Sequence, residues 1–255
     1  MTFSILFWNI WFYNQIEGKT RADRLLDELK RFIEQYEPDF VALNEVVQTS
    51  DDGSVLVIEY LQKLGYNYTH CASLARFSDY WLSGAALCSR FKMSRAEDIV
   101  ISKHGFATKR GYPGFTKKAI SAQVTLPLDQ DLKIIVAHPL ATIDALKDHR
   151  IAMSKLNQLV HSKAYAKNTT LVGDMNEWRL MPGAFRAKIA DVMHSRTGSV
   201  LNPTWRHNAH RFTPLRANLD YVYWSKNSDF SLKDFRVLSS IVSDHRPLFA
   251  VFQYE

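Results

Sequence analysis

The sequence predicts an α/β fold in which two packed β-sheets carry helices on their outer faces. Short apolar runs alternate with amphipathic segments, a pattern too mixed for an all-β sandwich. The strand-like runs are also too numerous for a simple doubly wound sheet. No linker rich in Pro, Gly or Ser interrupts the 255 residues, so residues 1–255 are predicted to form one domain.

Eight short runs rich in Val, Ile and aromatic residues are predicted to be buried strands. They cover residues 4–8, 40–43, 84–88, 120–126, 132–137, 170–172, 219–224 and 247–252. Three segments have helical periodicity instead: residues 21–36, 144–166 and, more weakly, 184–193. In the first of them Leu25, Leu29 and Phe32 share one face, and Pro38 follows its end.

Composition excludes several classes of protein. An apolar content of 46% excludes a disordered chain, and only 10 Gly and 8 Pro exclude a fibrous one. The two cysteines cannot build a disulfide framework. The apolar segment 3–13 lacks the basic start and cleavage site of a signal peptide, and no run reaches the length of a membrane span. A cytoplasmic location is therefore expected.

Polar residues lie at or next to one end of six of the hydrophobic segments, and this is the most informative pattern in the chain. They are Asn9, Glu45, His138, Asp174 with Asn176, Asp220, and Asp244 with His245. Each one alone is more often a turn-former or a structural residue than a ligand, but ends of neighbouring strands point at a common surface. Carboxylate and amide oxygens are the ligands of Mg²⁺ rather than Zn²⁺, and histidines titrate near neutrality.

At these residues the sequence resembles the endonuclease/exonuclease/phosphatase superfamily, whose fold is that of deoxyribonuclease I. The matching segments are FWN at 7–9, DFVALNE at 39–45, VAH at 136–138, GDMN at 173–176, LDYV at 219–222 and SDHRPL at 243–248. The resemblance implies a four-layer sandwich of two mixed sheets flanked by helices. It also implies metal-dependent hydrolysis of phosphate esters, with Mg²⁺ or Mn²⁺ as the cofactor.

The resemblance assigns a role to each polar residue. Glu45 would bind the metal ion, with Asn9 and Asp244 close to it. Asp174 and Asn176 would position or activate the attacking water and hold the phosphate. Asp220 would orient His245, which would contact the phosphate or transfer a proton, and His138 would stabilise charge on the phosphoryl oxygens.

Two departures from the family pattern narrow the match. Asn44 stands before Glu45, where the family commonly has Gln. His138 stands where abasic-site endonucleases of this fold place tyrosine. The second departure moves the resemblance toward the deoxyribonuclease, sphingomyelinase and inositol-phosphatase branches.

Charge distribution indicates a polyanionic substrate. The net charge is +6, and the basic excess lies in segments 103–118 and 203–218, which contain eight basic and no acidic residues. Both segments also contain aromatic residues, a combination suited to nucleic acid. The predicted substrate-binding residues are Arg110, Tyr112, Lys118, Trp178 and Arg206. The favoured activity is that of a monomeric DNA nuclease.

Three alternative functions compete with this prediction. A phospholipid-headgroup or inositol-phosphate hydrolase would use the same basic loops, and residues 11–13 or 80–82 would then be apolar tips at a lipid surface. A non-catalytic scaffold is disfavoured because every expected polar position is filled. A serine triad is disfavoured because Ser243, Asp244 and His245 are adjacent and cannot point at one another.

Overall fold

Two six-stranded mixed sheets form the centre of the molecule. The computed structural model describes residues 1–11, 19–49, 55–76, 81–102, 117–139, 146–177, 188–207 and 215–255. Within them the strands are β1 (Thr2–Asn9), β2 (Phe40–Thr49), β3 (Tyr68–Arg76), β4 (Trp81–Ser89), β5 (Met93–Ser102), β6 (Lys117–Leu126), β7 (Gln130–Ala137), β8 (Thr169–Asp174), β9 (Met193–Arg196), β10 (Trp205–His207), β11 (Leu215–Ala217), β12 (Asp220–Ser225), β13 (Phe230–Val237) and β14 (Leu248–Tyr254). The helices are α1 (Lys19–Tyr36), α2 (Leu56–Lys63) and α3 (Leu146–His161).

Each sheet contains one parallel pair of strands near its centre. The first sheet has the order β13-β14-β1-β2-β4-β3, in which β1 and β2 run parallel. The second has the order β5-β6-β7-β8-β12-β9, in which β7 and β8 run parallel. The short strands β10 and β11 form a separate antiparallel pair.

Three apolar clusters define four layers. One cluster lies between the sheets and includes Phe7, Val136 and Val222. A second joins the outer face of the first sheet to α1 and α2, and a third joins the outer face of the second sheet to α3. This helix–sheet–sheet–helix arrangement confirms the predicted four-layer sandwich. None of the described helices has the length and apolar character needed to cross a membrane.

Alternation along the central strands explains where the polar residues point. Phe3, Ile5 and Phe7 of β1 lie between the sheets, and Asn9 continues that row at the end of the strand. Asp174 likewise continues the row of Val172 on β8. Because side chains two residues apart share a face, the inter-sheet face turns from apolar to polar at one end of the sandwich.

The strands that the sequence did not predict are mostly edge strands. β3 and β13 flank the first sheet, and β5 and β9 flank the second. The solvent reaches much of an edge strand, so polar residues such as those of β5 (MSRAEDIVIS) are tolerated there. The buried, apolar runs were predicted, and each of them lies in or overlaps a strand.

Two helix predictions need correction. The predicted helix 184–193 is wrong at its end: only Lys188 and Ile189 are helical among its described residues, and Met193 begins β9. The predicted helix 144–166 ends early, at His161. Ser162 ends it, because its side-chain hydroxyl donates a hydrogen bond to the Leu159 carbonyl and competes with the helical pattern.

Gly173 allows β7 and β8 to approach closely beside the polar end of the sandwich. Gly173 pairs with Ala137, and a Cβ at Gly173 would lie well inside contact distance of the Ala137 carbonyl oxygen. We expect Gly173→Ala to destabilise the protein by about 2–3 kcal/mol, which lowers Tm by roughly 5–10 °C. Thermal unfolding measures this.

Gly65→Ala is the matched control. Gly65 has φ +91° and no heavy atom near the position of an added Cβ, so alanine there costs only backbone strain, about 1–2 kcal/mol. A Gly173→Ala protein with unchanged Tm would contradict the close approach of the two strands.

Candidate active site

The polar residues predicted at strand ends lie together at one end of the sandwich. Asn9, His138, Asp174, Asn176, Asp220 and His245 are all buried, contacts connect Asn9 and His138 to Glu45, and Asp244 directly precedes His245 in the chain. The ends of both sheets contribute, since β1 and β2 belong to one sheet and β8 and β12 to the other. The expected convergence of residues distant in sequence is therefore observed.

Asn9 holds the two central carboxylates together. Its side-chain nitrogen donates to Glu45 Oε1 at 3.1 Å and to Asp174 Oδ2 at 3.0 Å. Its side-chain oxygen accepts a hydrogen bond from the backbone N–H of Trp11 at 3.1 Å, which fixes the orientation of the amide. A single amide thus links one carboxylate from each sheet.

Glu45 occupies a β-bulge within β2. The register to β4 shifts between Asn44 and Val46, and Glu45 has φ 61°. The prediction that the strand ends at this residue is wrong, because β2 continues to Thr49. A bulge inserts an unpaired residue and re-aims its side chain, and a left-handed backbone at a non-glycine residue stores strain. This geometry directs Glu45 toward Asn9.

Asn176 stabilises the turn that follows β8. Its backbone N–H donates to Asp174 Oδ1 at 3.0 Å, and its side chain donates to the Pro139 carbonyl at 3.0 Å. Its φ of 50° is a conformation that asparagine tolerates better than most residues. Asn176 therefore fixes both Asp174 and the chain just after His138.

His245 lies between two buried carboxylates. Its Nδ1 is 2.9 Å from Asp220 Oδ2 and 3.1 Å from Oδ1, and its Nε2 is 3.6 Å from Asp174 Oδ2. Burial lowers the pKa of His245, but Asp220 and Asp174 outweigh burial and raise that pKa to about 10. His245 is therefore a cation at neutral pH, with Nδ1 donating to Asp220.

The pKa values of Asp174 and His138 are shifted so that each side chain favours its neutral form more than it does in water. Burial raises the pKa of Asp174 to about 7, although His245 opposes the shift. Burial, Lys117 and His245 together hold the pKa of His138 well below its usual value. His138 is thus neutral, with its Nε2 3.6 Å from Asp174 Oδ2 and 3.9 Å from Glu45 Oε1.

Asp244 is oriented by a tryptophan. Its Oδ2 accepts a hydrogen bond from Trp205 Nε1 at 2.9 Å, and Trp205 forms a β-bridge with His245. Its Oδ1 is buried and has no hydrogen-bond partner within the described ranges. A buried carboxylate oxygen without a donor is costly unless a cation satisfies it.

Lys117 belongs to this cluster, and sequence reasoning did not single it out. It is only 8% exposed, at the start of β6. The register pairs Ile120 with Val136, which places Lys117 near the end of β7 that leads into His138. Burial lowers the pKa of the Lys117 ammonium, while Glu45 and Asp174 oppose that shift. Its position in a basic segment was the only available signal.

The structure describes only two of the five predicted substrate-binding residues, Lys118 and Arg206. Arg110, Tyr112 and Trp178 lie outside the described residues. Lys118 donates to Asp98 Oδ2 at 2.8 Å, on the rim where β5 and β6 meet. Arg206 is exposed, and its backbone N–H donates to the Asp244 carbonyl at 2.9 Å.

The fold has close structural relatives. The crystal structure of an endonuclease/exonuclease/phosphatase from Beutenbergia cavernae is 17% identical in sequence and has a TM-score of 0.78, covering 99% of this chain and 72% of that one. The human Nocturnin catalytic domain is 19% identical, with a TM-score of 0.71 and coverages of 100% and 94%. D. rerio TDP2, in complex with a single-strand DNA product, is 16% identical, with a TM-score of 0.69 and 99% coverage of both chains.

Sequence comparison identifies the family. A comparison with curated protein sequences found no match. The model of the Endonuclease/Exonuclease/phosphatase family, by contrast, matches residues 6–245. That span begins within β1, includes Asn9, Glu45, His138, Asp174, Asn176, Asp220, Asp244 and His245, and covers all of the second sheet and all of the first sheet except β14 and the start of β1. The chain therefore belongs to the endonuclease/exonuclease/phosphatase family.

Proposed function

We propose that this protein is a Mg²⁺- or Mn²⁺-dependent phosphodiesterase that acts as a DNA nuclease. The observation that carries the proposal is the buried network in which Asn9 links Glu45 to Asp174 while His245 lies between Asp174 and Asp220. The complex of TDP2 with a single-strand DNA product supports a nucleic-acid substrate.

The donor set fits a hard divalent cation. Glu45, Asp174 and Asp244 offer carboxylate oxygens, and one oxygen of Asp244 is buried without a donor in the described structure. Oxygen ligands of this kind suit Mg²⁺. We place the ion beside Glu45, with Asn9 and Asp244 near it. Bound there, a divalent cation would neutralise charge on the phosphoryl oxygens.

Asp174, Asp220 and His245 also have ligand atoms within 4.8 Å of one another, but they suit a different role. His245 already uses Nδ1 to contact Asp220 and is cationic, so neither of its ring nitrogens has a lone pair to offer a second metal ion. We assign it to proton transfer and phosphate binding instead.

The chain's own residues account for the remaining steps. Asp174, whose pKa is raised to about 7, accepts the proton of the attacking water near neutral pH, where a general base is most effective. Asn176 helps to position Asp174 and the phosphate. The cationic His245 donates to a phosphate oxygen, and the neutral His138 donates a second hydrogen bond as charge develops there.

Asp220→Asn should move the alkaline limit of activity. Burial lowers the pKa of His245, and Asp220 is the first group that raises it. Without that carboxylate the pKa falls, so His245 loses its proton at lower pH. We expect the alkaline limb of the pH–kcat profile to shift downward by more than about one pH unit. A profile that extends from pH 5 to about pH 11, beyond the His245 pKa of about 10, measures it.

Asp98→Asn is the matched control, because Asp98 also pairs with a histidine, His70, at 2.8 Å. This pair lies on the rim rather than in the buried network. We expect an unchanged pH profile from Asp98→Asn. An Asp220→Asn enzyme whose alkaline limb stays in place would contradict the role given to Asp220.

A substrate panel tests the proposed function. Purified protein with Mg²⁺ or Mn²⁺ is assayed against supercoiled DNA, single-stranded DNA, RNA, sphingomyelin and inositol phosphates, with EDTA and Glu45→Gln as controls. We expect nicking of DNA that both controls abolish. Failure to cleave any substrate would favour a non-catalytic scaffold. Activity that survives both EDTA and Glu45→Gln would contradict the proposal, because it would come from a contaminant or from a site other than the one built on Glu45.

One observation keeps a lipid substrate as the second candidate. Val200, Leu201 and Ile241 are 72%, 88% and 94% exposed. They lie in two loops that Arg246 joins through contacts with Asn202 and Ser239. Apolar loop tips beside a hydrolytic site suit a membrane surface. Of the tips predicted at 11–13 and 80–82, residues 12, 13 and 80 lie outside the described residues and Trp11 is half-buried. The prediction at 80–82 is wrong for Trp81 and Leu82, which belong to strand β4 and pair with β2. Sphingomyelin cleavage in the panel would favour this candidate.

A further inference from the structure

A cationic cleft lies at the open edge of the sandwich, next to Asp174, Asp220 and His245, which we call the catalytic cluster. Its volume is about 250 Å³. It is lined by Arg196, Thr197, Leu232, Lys233, Asp234 and Phe235. β9 and β13, which supply most of these residues, are edge strands of opposite sheets. The cleft is therefore an opening between the two sheets.

The cleft is close to Asp220 along the second sheet. Arg196 pairs with Val222, two residues from Asp220. At about 3.3 Å per residue, this separates the two positions by about 7 Å along the strand direction. Thr197, which lines the cleft, donates from its hydroxyl to the Asp220 carbonyl at 2.7 Å. The cleft and the catalytic cluster thus share a wall.

Alternation along β9 directs Arg196 toward the space between the sheets. His194, two residues earlier, has its ring 5.3 Å from that of Trp224, and Trp224 packs against the cluster between the sheets. Because residues two apart share a face, Arg196 lies on that same face. This is the face that the catalytic residues occupy at the end of the sandwich.

The cleft carries two cations that no carboxylate neutralises in the described structure. Asp234 already accepts from Arg236 at 2.8 Å. Arg196 and Lys233 are exposed, and neither forms an ion pair within the described residues. Leu232 and Phe235 contribute an apolar wall. Two cations beside an apolar wall suit a phosphate attached to a sugar and base.

We propose that this cleft binds the phosphate that neighbours the scissile one in a single-stranded nucleic acid, with Arg196 and Lys233 as its ligands. The inference rests on the proposed function and deepens it by naming an extended strand as the substrate. A volume of about 250 Å³ lies below the usual size of a small-molecule site, which favours a segment of a chain over a separate ligand.

The test compares Arg196→Ala/Lys233→Ala with Lys63→Ala/Lys92→Ala. The control removes two exposed lysines from α2 and from the turn before β5, away from the cleft. The substrates are a single-stranded oligodeoxynucleotide of about eight nucleotides and bis(p-nitrophenyl) phosphate, which has one phosphodiester and no neighbouring phosphate.

We expect the double substitution in the cleft to raise KM for the oligonucleotide about tenfold. It should also reduce the slope of log affinity for the oligonucleotide against log salt concentration by about 0.7 for each phosphate contact that is lost. Its KM and kcat for bis(p-nitrophenyl) phosphate, and all values for the control, should match wild type. Equal losses on both substrates, or an unchanged oligonucleotide KM, would overturn the proposal.

A binding measurement separates this proposal from the proposed function. If wild-type protein cleaves neither substrate, the nuclease assignment fails. Binding of the labelled oligonucleotide, measured by fluorescence anisotropy in EDTA, then tests whether the cleft binds a nucleic-acid strand. Weaker binding by the cleft variant than by the control then supports a strand-binding cleft. Equal binding by the two variants overturns it.

Discussion

Replacing His245 by alanine should lower the rate of phosphodiester cleavage by about 10³–10⁴-fold. Two carboxylates hold this imidazole as a cation, with Nδ1 toward Asp220 and Nε2 toward Asp174. Its loss removes both a fixed positive charge and a proton donor from the site. Steady-state kinetics on DNA and on bis(p-nitrophenyl) phosphate measure the effect.

The fold should survive this substitution, although it loses stability. Asp220 is fully buried, and the described structure shows no other side chain donating to its carboxylate. Breaking such a pair costs about 3–5 kcal/mol if the carboxylate stays charged, and less if it binds a proton. Circular dichroism and thermal unfolding separate this loss from the loss of rate.

Two further variants sharpen the result. His245→Gln retains a donor toward Asp220, so we expect it to recover stability but not rate. His161→Ala removes an exposed histidine at the end of α3 and should leave the rate unchanged. If His245→Gln has the kcat of the wild-type enzyme, His245 has no role in the chemical step.

The sequence predicted the buried strands well because burial on both faces leaves a continuous apolar run. β8, for example, is buried at every position of TTLVGD. In the edge strand β13 the apolar residues alternate with polar ones only up to a bulge between Leu232 and Asp234, and charged residues lie among them. Because the bulge interrupts the period of two, the sequence alone did not predict this strand, whose structure depends on pairing with β14. The cationic cleft lined by Arg196 and Lys233 also lies between two edge strands, β9 and β13.

Site residues were predictable where a polar side chain lies at the end of an apolar strand. Asn9, Asp174 and Asp220 meet this condition, since each continues a row of side chains that faces the other sheet. Lys117 did not stand out, because in sequence it is one cation in a basic segment. Trp205, which contacts Asp244, gave no signal of that contact either.

Charge states could not be predicted from residue type. His138 and His245 both follow buried strands or lie near them, yet their pKa values shift in opposite directions. His245 faces two carboxylates at short range, whereas His138 is buried near Lys117 and His245. The assignment of one cationic and one neutral histidine therefore needs the three-dimensional arrangement.

Glu45→Gln should abolish most activity, by about 10³-fold or more, and weaken binding of the divalent cation. The substitution preserves size, and the glutamine oxygen can still accept from Asn9 Nδ2, as Glu45 Oε1 does at 3.1 Å. It removes one negative charge from a site that we propose holds a cation. Calorimetric titration with Mn²⁺ and kinetics at saturating Mn²⁺ measure the two effects separately.

Glu97→Gln is the control for this experiment, because Glu97 pairs with Arg95 at 2.8 Å on β5, an edge strand. It should change neither metal affinity nor rate. Glu45→Asp tests the reach of the carboxylate: it keeps the charge but is one methylene shorter, so the bulge no longer delivers its oxygen to the same point. We expect a rate between those of Glu45→Gln and wild type. If Glu45→Gln binds Mn²⁺ as tightly as the wild-type protein does, Glu45 is not a ligand of the ion, and Asp244, which has a buried oxygen without a donor in the described structure, becomes the first alternative ligand to test.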